Sequence, residues 1–381
     1  MTGPAGTDPA RPLRGYRVVS LAEQYPGPFA TLILGDLGAD VVQIERPQGG
    51  DPSRAFPGHY AALNRGKRSV ALDLKTAEGA GACRTLLGRA DVLLEGFRPG
   101  VLDRLGLAPA ELIAANPGLV VVSVSGFGQD GPYRDRPAHD LSFQAMVGLL
   151  DAGAPSVPAV ALADVASGLF AAIAALTGLA GRAAHGRGGH YDVAMFDALV
   201  SFVVTRLVPV ANDMPPDSLG QDPGYGLFAT GDGRWVSLSI AFEDHFWRAL
   251  CSALDLTALA EVGGPERAAR RDEIRAVLAA RIVAEPLAHW ERILPAAGIA
   301  YGAVQDLTGL LQDPQFRARG LLHTVADRRF VRQPLTVDGS GPGPGTAVPA
   351  LGEHTEEVLR EAGLTEEAVA DACAVKLTGQ Y

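Results

Sequence analysis

Tyr16-Arg17-Val18-Val19-Ser20-Leu21 and Val41-Val42-Gln43-Ile44-Glu45 are two short β-rich runs. Between them lie Pro26-Gly27-Pro28 and then residues 29–37, whose apolar positions recur at helical spacing up to Gly38. Strand, helix and strand in that order make a βαβ unit. Two strands joined through a helix must run parallel, because a tight turn cannot carry the chain back to the same end of the sheet.

Outward from this unit the alternation continues. Residues 69–74, 91–95 and 119–125 read as strands, and 76–88 as a helix between two of them. Residues 119–125 carry β-branched side chains on both faces, as a strand covered on both sides requires. The expected fold class is α/β: a Rossmann-like parallel sheet forming a large domain, plus a smaller α+β domain. Ligands of such sheets bind at the carboxyl ends of the strands, here the loops 23–28, 46–54, 96–100 and 126–136, all rich in Gly or Pro.

Residues 1–14 read as a loose tail, and 143–150, 165–184 and 191–202 as helices. Pro, Asp and Gly in 213–226 suggest a linker. Gly231-Asp232-Gly233 then turns the chain into a strand over 235–240, and 244–294 is helical. Short strands near 303 and within 328–337 follow, then helices over 355–364 and 365–376. The division expected is residues 1–212 for the large domain, 213–310 for the small one, and 311–381 returning to the large one.

The 381 residues are 47% hydrophobic and 20% charged, which suits a large buried core and argues against disorder. A net charge of −10 disfavours nucleic acid as a partner but leaves room for a small anion held by a few Arg and Lys side chains. Cys83, Cys251 and Cys373 are scattered, odd in number and without metal-ligand spacing, as in a reducing compartment. The first 14 residues lack the pattern of a signal peptide. The longest apolar stretch, 157–179, contains Asp164 and reads as a buried helix rather than a membrane span. Cytoplasmic residence is the expectation, with no metal and no membrane partner.

His-Glu-x-x-His, Cys-x-x-Cys, the Walker loop and Gly-x-Gly-x-x-Gly are all absent. Val122-Ser123-Val124-Ser125-Gly126 lacks the leading glycine of a nucleophile elbow. Three constellations remain. Arg65, Lys67, Arg68 and Lys75 form a basic cluster, either a phosphate grip or a solvated charged loop. Asp164, alone in an apolar run, is either a reactive carboxylate or a helix N-cap. His139-Asp140 follows an Arg-rich loop, with Asp140 placed to cap the next helix. Farther on, Glu243-Asp244-His245 lies just after the strand of the small domain.

Taken together, several segments resemble the CaiB/BaiF family, the family III CoA-transferases, which also includes α-methylacyl-CoA racemases. The segments are 35–45, 64–75, Glu95-Gly96-Phe97-Arg98-Pro99-Gly100, 122–131, and Ala163-Asp164 with Gly186-Arg187-Gly188. The resemblance runs along nearly the whole chain. It implies acyl-CoA and carboxylic acid substrates, with coenzyme A handled as a thioester, and an interlocked homodimer. Positions matching the family's CoA contacts are Tyr25, Arg46, Leu72, Lys75, Phe97 and Arg104. Gly96 stands where many members have Asn.

For catalysis the resemblance implies that Asp164 attacks the thioester carbonyl and carries an aspartyl intermediate. The alternative it offers is racemisation of a 2-methylacyl-CoA, with Asp164 and His139 as the two bases and Glu243 assisting. His139 stands where most of the transferases have an aromatic residue, and a Gly-rich mobile loop of some transferases is missing. The 143–146 stretch is more transferase-like, and the spacing from His139 to Asp164 is shorter than a racemase suggests. CoA transfer therefore ranks first. A third reading is a CoA-thioester-binding subunit without activity, which Asp164 in its full motif argues against.

Overall fold

The computed structural model describes residues 8–150, 152–215, 220–339, 341–343 and 345–373. The chain forms two compact units. One runs to Val204 and resumes at Gly320; the other is Thr205–Arg319.

The first unit is built on β1 (Arg17–Ser20), β2 (Asp40–Glu45), β3 (Arg68–Ala71), β4 (Val92–Glu95), β5 (Val120–Ser125) and β6 (Gly189–Ala194). They form one six-stranded sheet in the order β3-β2-β1-β4-β5-β6, with every neighbouring pair parallel. Strand order reverses between β1 and β4, so the loops after these two strands diverge and leave a crevice at the carboxyl edge of the sheet. The helices before β6 are α1 (Pro26–Asp36), α2 (Pro57–Asn64), α3 (Ala77–Leu87), α4 (Val101–Arg104), α5 (Pro109–Ala115), α6 (Asp140–Met146) and α7 (Leu162–His185).

Alternation along the strands feeds two cores. Val19, Val42, Val70, Leu93 and Val121 face one side, packed with Leu86 of α3 and Leu112 of α5. Val18, Val41, Val92, Val120 and Val122 face the other, packed with Leu34 of α1 and Ala171 and Ala175 of α7. Each such side chain, removed from water, contributes about 1.5–3 kcal/mol before conformational entropy is counted.

The Ala-rich α7 lies close on the sheet because its inner face is small; a Cβ at Gly178 would collide with Val120. The helix is long and apolar enough to cross a membrane, but it is a packed helix here, with Ala163, Ala166, Ser167 and Ala171 fully buried.

Several sequence expectations shift. Residues 191–202 are not one helix. Tyr191 and Val193 belong to β6, which pairs with β5 along its whole length, and α8 (Met195–Val200) starts only afterwards. A parallel partner six paired positions long outweighs a short apolar run that reads equally well as helix or strand. Residues 10–14 are not a loose tail, because Leu13 is buried and its N–H donates to Leu37 O. Of the two final helices, Thr355–Glu361 and Glu366–Cys373 are observed, and residues 374–376 lie outside the described residues.

The second unit contains most of α9 (Val204–Ala211), then the hairpin of β7 (Tyr225–Ala229) and β8 (Trp235–Ser239). Helices α10 (Asp244–Ala253), α11 (Gly264–Ala269), α12 (Arg271–Ile282) and α13 (Leu287–Ala296) and the strand β9 (Tyr301–Ala303) complete its core. Trp247, Leu250, Ile274, Leu278 and Trp290 fill the space between helices and hairpin. It is an α+β unit, and the smaller of the two.

Candidate active site

Two hollows meet at the carboxyl edge of the sheet. The first is a groove of about 350 Å³, floored by Leu21, Ile44 and Leu72 and walled by Phe97, Val101 and Leu105. Arg46 follows β2 and Lys75 follows β3, so each brings an exposed cation to the groove; the Arg46 Nε–H donates to Gly50 O at 2.7 Å. An apolar floor with cations at its edge suits a long ligand bearing phosphates.

The second hollow, about 240 Å³, is lined by Asp164, His139, Tyr25, Gly96, Gly126 and Met195, among others. Glu23 lines both hollows, so groove and cavity adjoin at its side chain. The start of α1 packs closely on the loop after β1, where a Cβ at Gly27 would collide with Ala22. Pro26 and Pro28 give α1 a rigid start without two of its N–H groups. The structure therefore brings Asp164, His139 and Tyr25 together in one cavity, and Arg46, Leu72, Lys75 and Phe97 together in the adjoining groove. Arg104 ends α4 with an exposed side chain and does not line the groove, although its neighbour Leu105 does.

Asp164 is the third residue of α7 and not its cap. The N-cap is Ala161, which has no side-chain acceptor. That role falls to Asp140, 24 positions earlier, whose Oδ1 accepts from Ala163 N at 2.7 Å and from Asp164 N at 3.4 Å. Gln144, almost fully buried, holds the other Asp140 oxygen through Nε2 at 2.6 Å. With the helix start satisfied by Asp140, no hydrogen bond to the Asp164 carboxylate is present among the described residues. Burial, and then the negative charge of Asp140, push the Asp164 carboxyl up to about 6. Burial and the nearby charges of Asp164 and Asp140 raise the Tyr25 phenol as well, so it stays a neutral hydrogen-bond donor.

Over residues 13–355 the sequence matches the family model described as CoA-transferase family III. The chain belongs to CoA-transferase family III. It is 33% identical, over 95% of its length and 98% of the relative's, to the acetyl-CoA:oxalate CoA-transferase of Acetobacter aceti. It is 34% identical, over 96% of its length and 98% of the relative's, to the succinyl-CoA–L-malate CoA-transferase beta subunit of Chloroflexus aurantiacus. Among solved structures, a CaiB/BaiF family protein from Brucella suis superposes with a TM-score of 0.82 at 31% identity, covering 93% of this chain and all of that one.

One sequence expectation for this family III chain is corrected. The basic cluster is neither a phosphate grip nor a solvated loop, apart from Lys75. Arg65 is buried and paired with Asp36 at 2.5 and 2.7 Å. Lys67 donates to Pro28 O and Asn64 Oδ1, and burial pulls its ammonium down to about 7. Arg68 reaches Asp40 and Glu361. These groups anchor loops from inside.

Glu243, in the second unit, is the N-cap of α10, and its carboxylate accepts from Ala241 N and Phe242 N, both at 3.1 Å. Asp140 and Gln144 are the site residues that the sequence reading underused. Their spacing of four within one helix was the available signal.

Proposed function

We propose that this protein moves coenzyme A between carboxylic acids, with Asp164 as the nucleophile. The observation that carries the reading is the Asp164 carboxylate itself: partly desolvated, without a hydrogen-bond partner among the described residues, and lining a cavity that adjoins a groove edged by Arg46 and Lys75. A carboxyl near 6 is ionised at neutral pH yet more basic than an ordinary aspartate, which suits attack on a thioester.

In the proposed cycle an Asp164 oxygen attacks the thioester carbonyl carbon, the C–S bond breaks, and CoA thiolate leaves a mixed anhydride. The thiolate attacks the aspartyl carbonyl, expelling the donor acid and forming an aspartyl-CoA thioester. The acceptor carboxylate attacks that thioester and again releases thiolate. A final attack of the thiolate on the acceptor's acyl carbon yields the new acyl-CoA and regenerates Asp164. Tyr25 and the backbone at Gly96 and Gly126 are the donors available in the cavity for the transient oxyanions. Arg46 and Lys75 hold the phosphates, Leu72 and Phe97 pack the cofactor's apolar parts, and Arg104 contacts its exposed end.

Donor and acceptor are carboxylic acids of unassigned structure. Work in the cytoplasm and assembly as an interlocked homodimer belong to the same proposal. The exposed apolar positions Leu169 and Ile173 on α7, and an α9 with no buried residue, support the dimer. Light scattering at the mass of one chain would remove it.

Hydroxylamine trapping tests the chemistry. After incubation with acyl-CoA, mass spectrometry should find an aspartyl hydroxamate at position 164. His139 in the same cavity supports the second reading, racemisation, whereas the named relatives favour transfer. Exchange of an α-proton in D₂O without any covalent adduct would replace the first reading with the second.

A further inference from the structure

Behind one wall of the groove lies a polar cluster with no part in the chemistry above. Glu95 ends β4, Ser123 is its register partner on β5, and His190 lies on β6 opposite Val121. Strand alternation puts all three on the sheet face of Leu93 and Val121, the face that floors the groove. Ser123 Oγ is 2.8 Å from His190 Nε2 and is also hydrogen-bonded to the Glu95 carboxylate. The remaining partner of Glu95 is the backbone N–H of Phe97, at 2.8 Å.

The stretch after β4 is a partition. Phe97, Val101 and Leu105 face the CoA groove. Arg98, Gly100 and Leu102 face a separate cavity of about 250 Å³, lined also by Glu95, Ser123 and His190. Residues 96–100 lie outside helix and strand, so little regular hydrogen bonding fixes them. Glu95 is only 3% exposed, and its burial is costly: the carboxyl is raised to about 7 despite its two hydrogen bonds. An apolar residue there would pack without that cost. A buried acid whose bonds run to the wall on one side and to a braced hydroxyl on the other points to a positional task.

We propose that Glu95, held by Ser123 and His190, is a positioning residue that keeps the Phe97 wall in its CoA-binding form. The inference rests on the groove being the CoA site. It predicts an effect centred on CoA, because the Glu95 bond holds Phe97 and Glu95 itself does not line the Asp164 cavity, although its neighbour Gly96 does.

The test measures acyl-CoA KM, acceptor-acid KM, kcat and the calorimetric Kd for CoA. Glu95→Ala should raise acyl-CoA KM and CoA Kd about tenfold, the loss expected for one charge-assisted bond, with acceptor KM within about twofold and any fall in kcat smaller than the loss of CoA affinity. Glu95→Gln should recover most of the loss, since its oxygen accepts from Phe97 N–H and its amide donates to Ser123 Oγ. Ser123→Ala should act in the same direction as Glu95→Ala, more weakly. Unchanged CoA Kd in Glu95→Ala overturns the inference, as does a loss confined to kcat or acceptor KM. If Glu95→Ala does not fold, Ser123→Ala decides, and an unchanged CoA Kd there overturns it too. A wild-type chain that binds no CoA defeats the groove assignment and this inference together. A wild-type chain that binds CoA but forms no adduct at Asp164 defeats only the transfer chemistry, and the Kd comparison still judges Glu95.

Discussion

Glu45 and Asp164 are both carboxylates set into the first unit at the edge of the groove and cavity, and their surroundings are opposite. The Glu45 side chain is fully buried; Arg54 donates to both its oxygens at 2.6 and 2.7 Å, Ser69 Oγ at 2.7 Å and Asp51 N at 3.0 Å. Burial raises its pKa, but these donors outweigh burial and hold it below the usual range. Asp164 keeps more contact with solvent, has no such donor among the described residues, and is raised. Burial alone therefore does not make a carboxylate reactive. Burial with the hydrogen-bonding capacity left open raises the carboxyl and leaves its oxygens free for a ligand.

The comparison can be broken at several points. The largest effect expected is on turnover: Asp164→Ala should lower kcat by roughly 10⁴-fold or more, as loss of a nucleophile does. Near-normal turnover in that variant would end the assignment. Next comes stability at the other carboxylate. Glu45→Ala strands Arg54 in a largely buried site and should cost about 3–5 kcal/mol in denaturant unfolding. A loss under about 1 kcal/mol would mean that the network is not structural.

Asp140→Ala tests the division of labour between the two aspartates. It removes the cap of α7 and should cost about 1 kcal/mol of stability. It should also lower the Asp164 pKa, since a like charge is gone. The acid limb of the pH–rate profile should then move to lower pH. In the wild type that limb should fall as pH drops through about 6, because the protonated carboxyl cannot attack. A limb that stays in place in Asp140→Ala would remove the charge of Asp140 as a cause.

The smallest effect separates reactivity from folding. The Asp164 carboxyl is raised in the folded state, so its charge opposes folding above about pH 6 and has no influence once it is protonated in both states. Asp164→Asn should thus melt at a higher temperature than the wild type at pH 7, with the gain vanishing below about pH 4. A lower melting temperature at pH 7 would show that the carboxylate has a stabilising partner after all.

Much of this was legible along the chain. The βαβ order, the strand ends that carry the ligand loops, and the standing of Asp164 as a lone acid in an apolar run follow from local periodicity and chemistry. What stayed hidden depended on residues far apart. The pairing of Arg65 with Asp36 and of Arg68 with Glu361 joins positions that no local pattern connects, so a charged segment looked like a surface. The strand at Gly189–Ala194 was hidden for the same reason, since its apolar run is ambiguous until β5 supplies the ladder.

The sequence by itself determined the class of fold and the family and singled out Asp164 as a lone acid in an apolar run, because hydrophobic period and residue type are local properties of the chain. Only the tertiary structure decided which charges are spent on holding the molecule together and which remain open. A carboxylate's state depends on the donors packed around it, and those arrive from Asp140's helix, from β5 or from the loop after β2 only once the chain has folded.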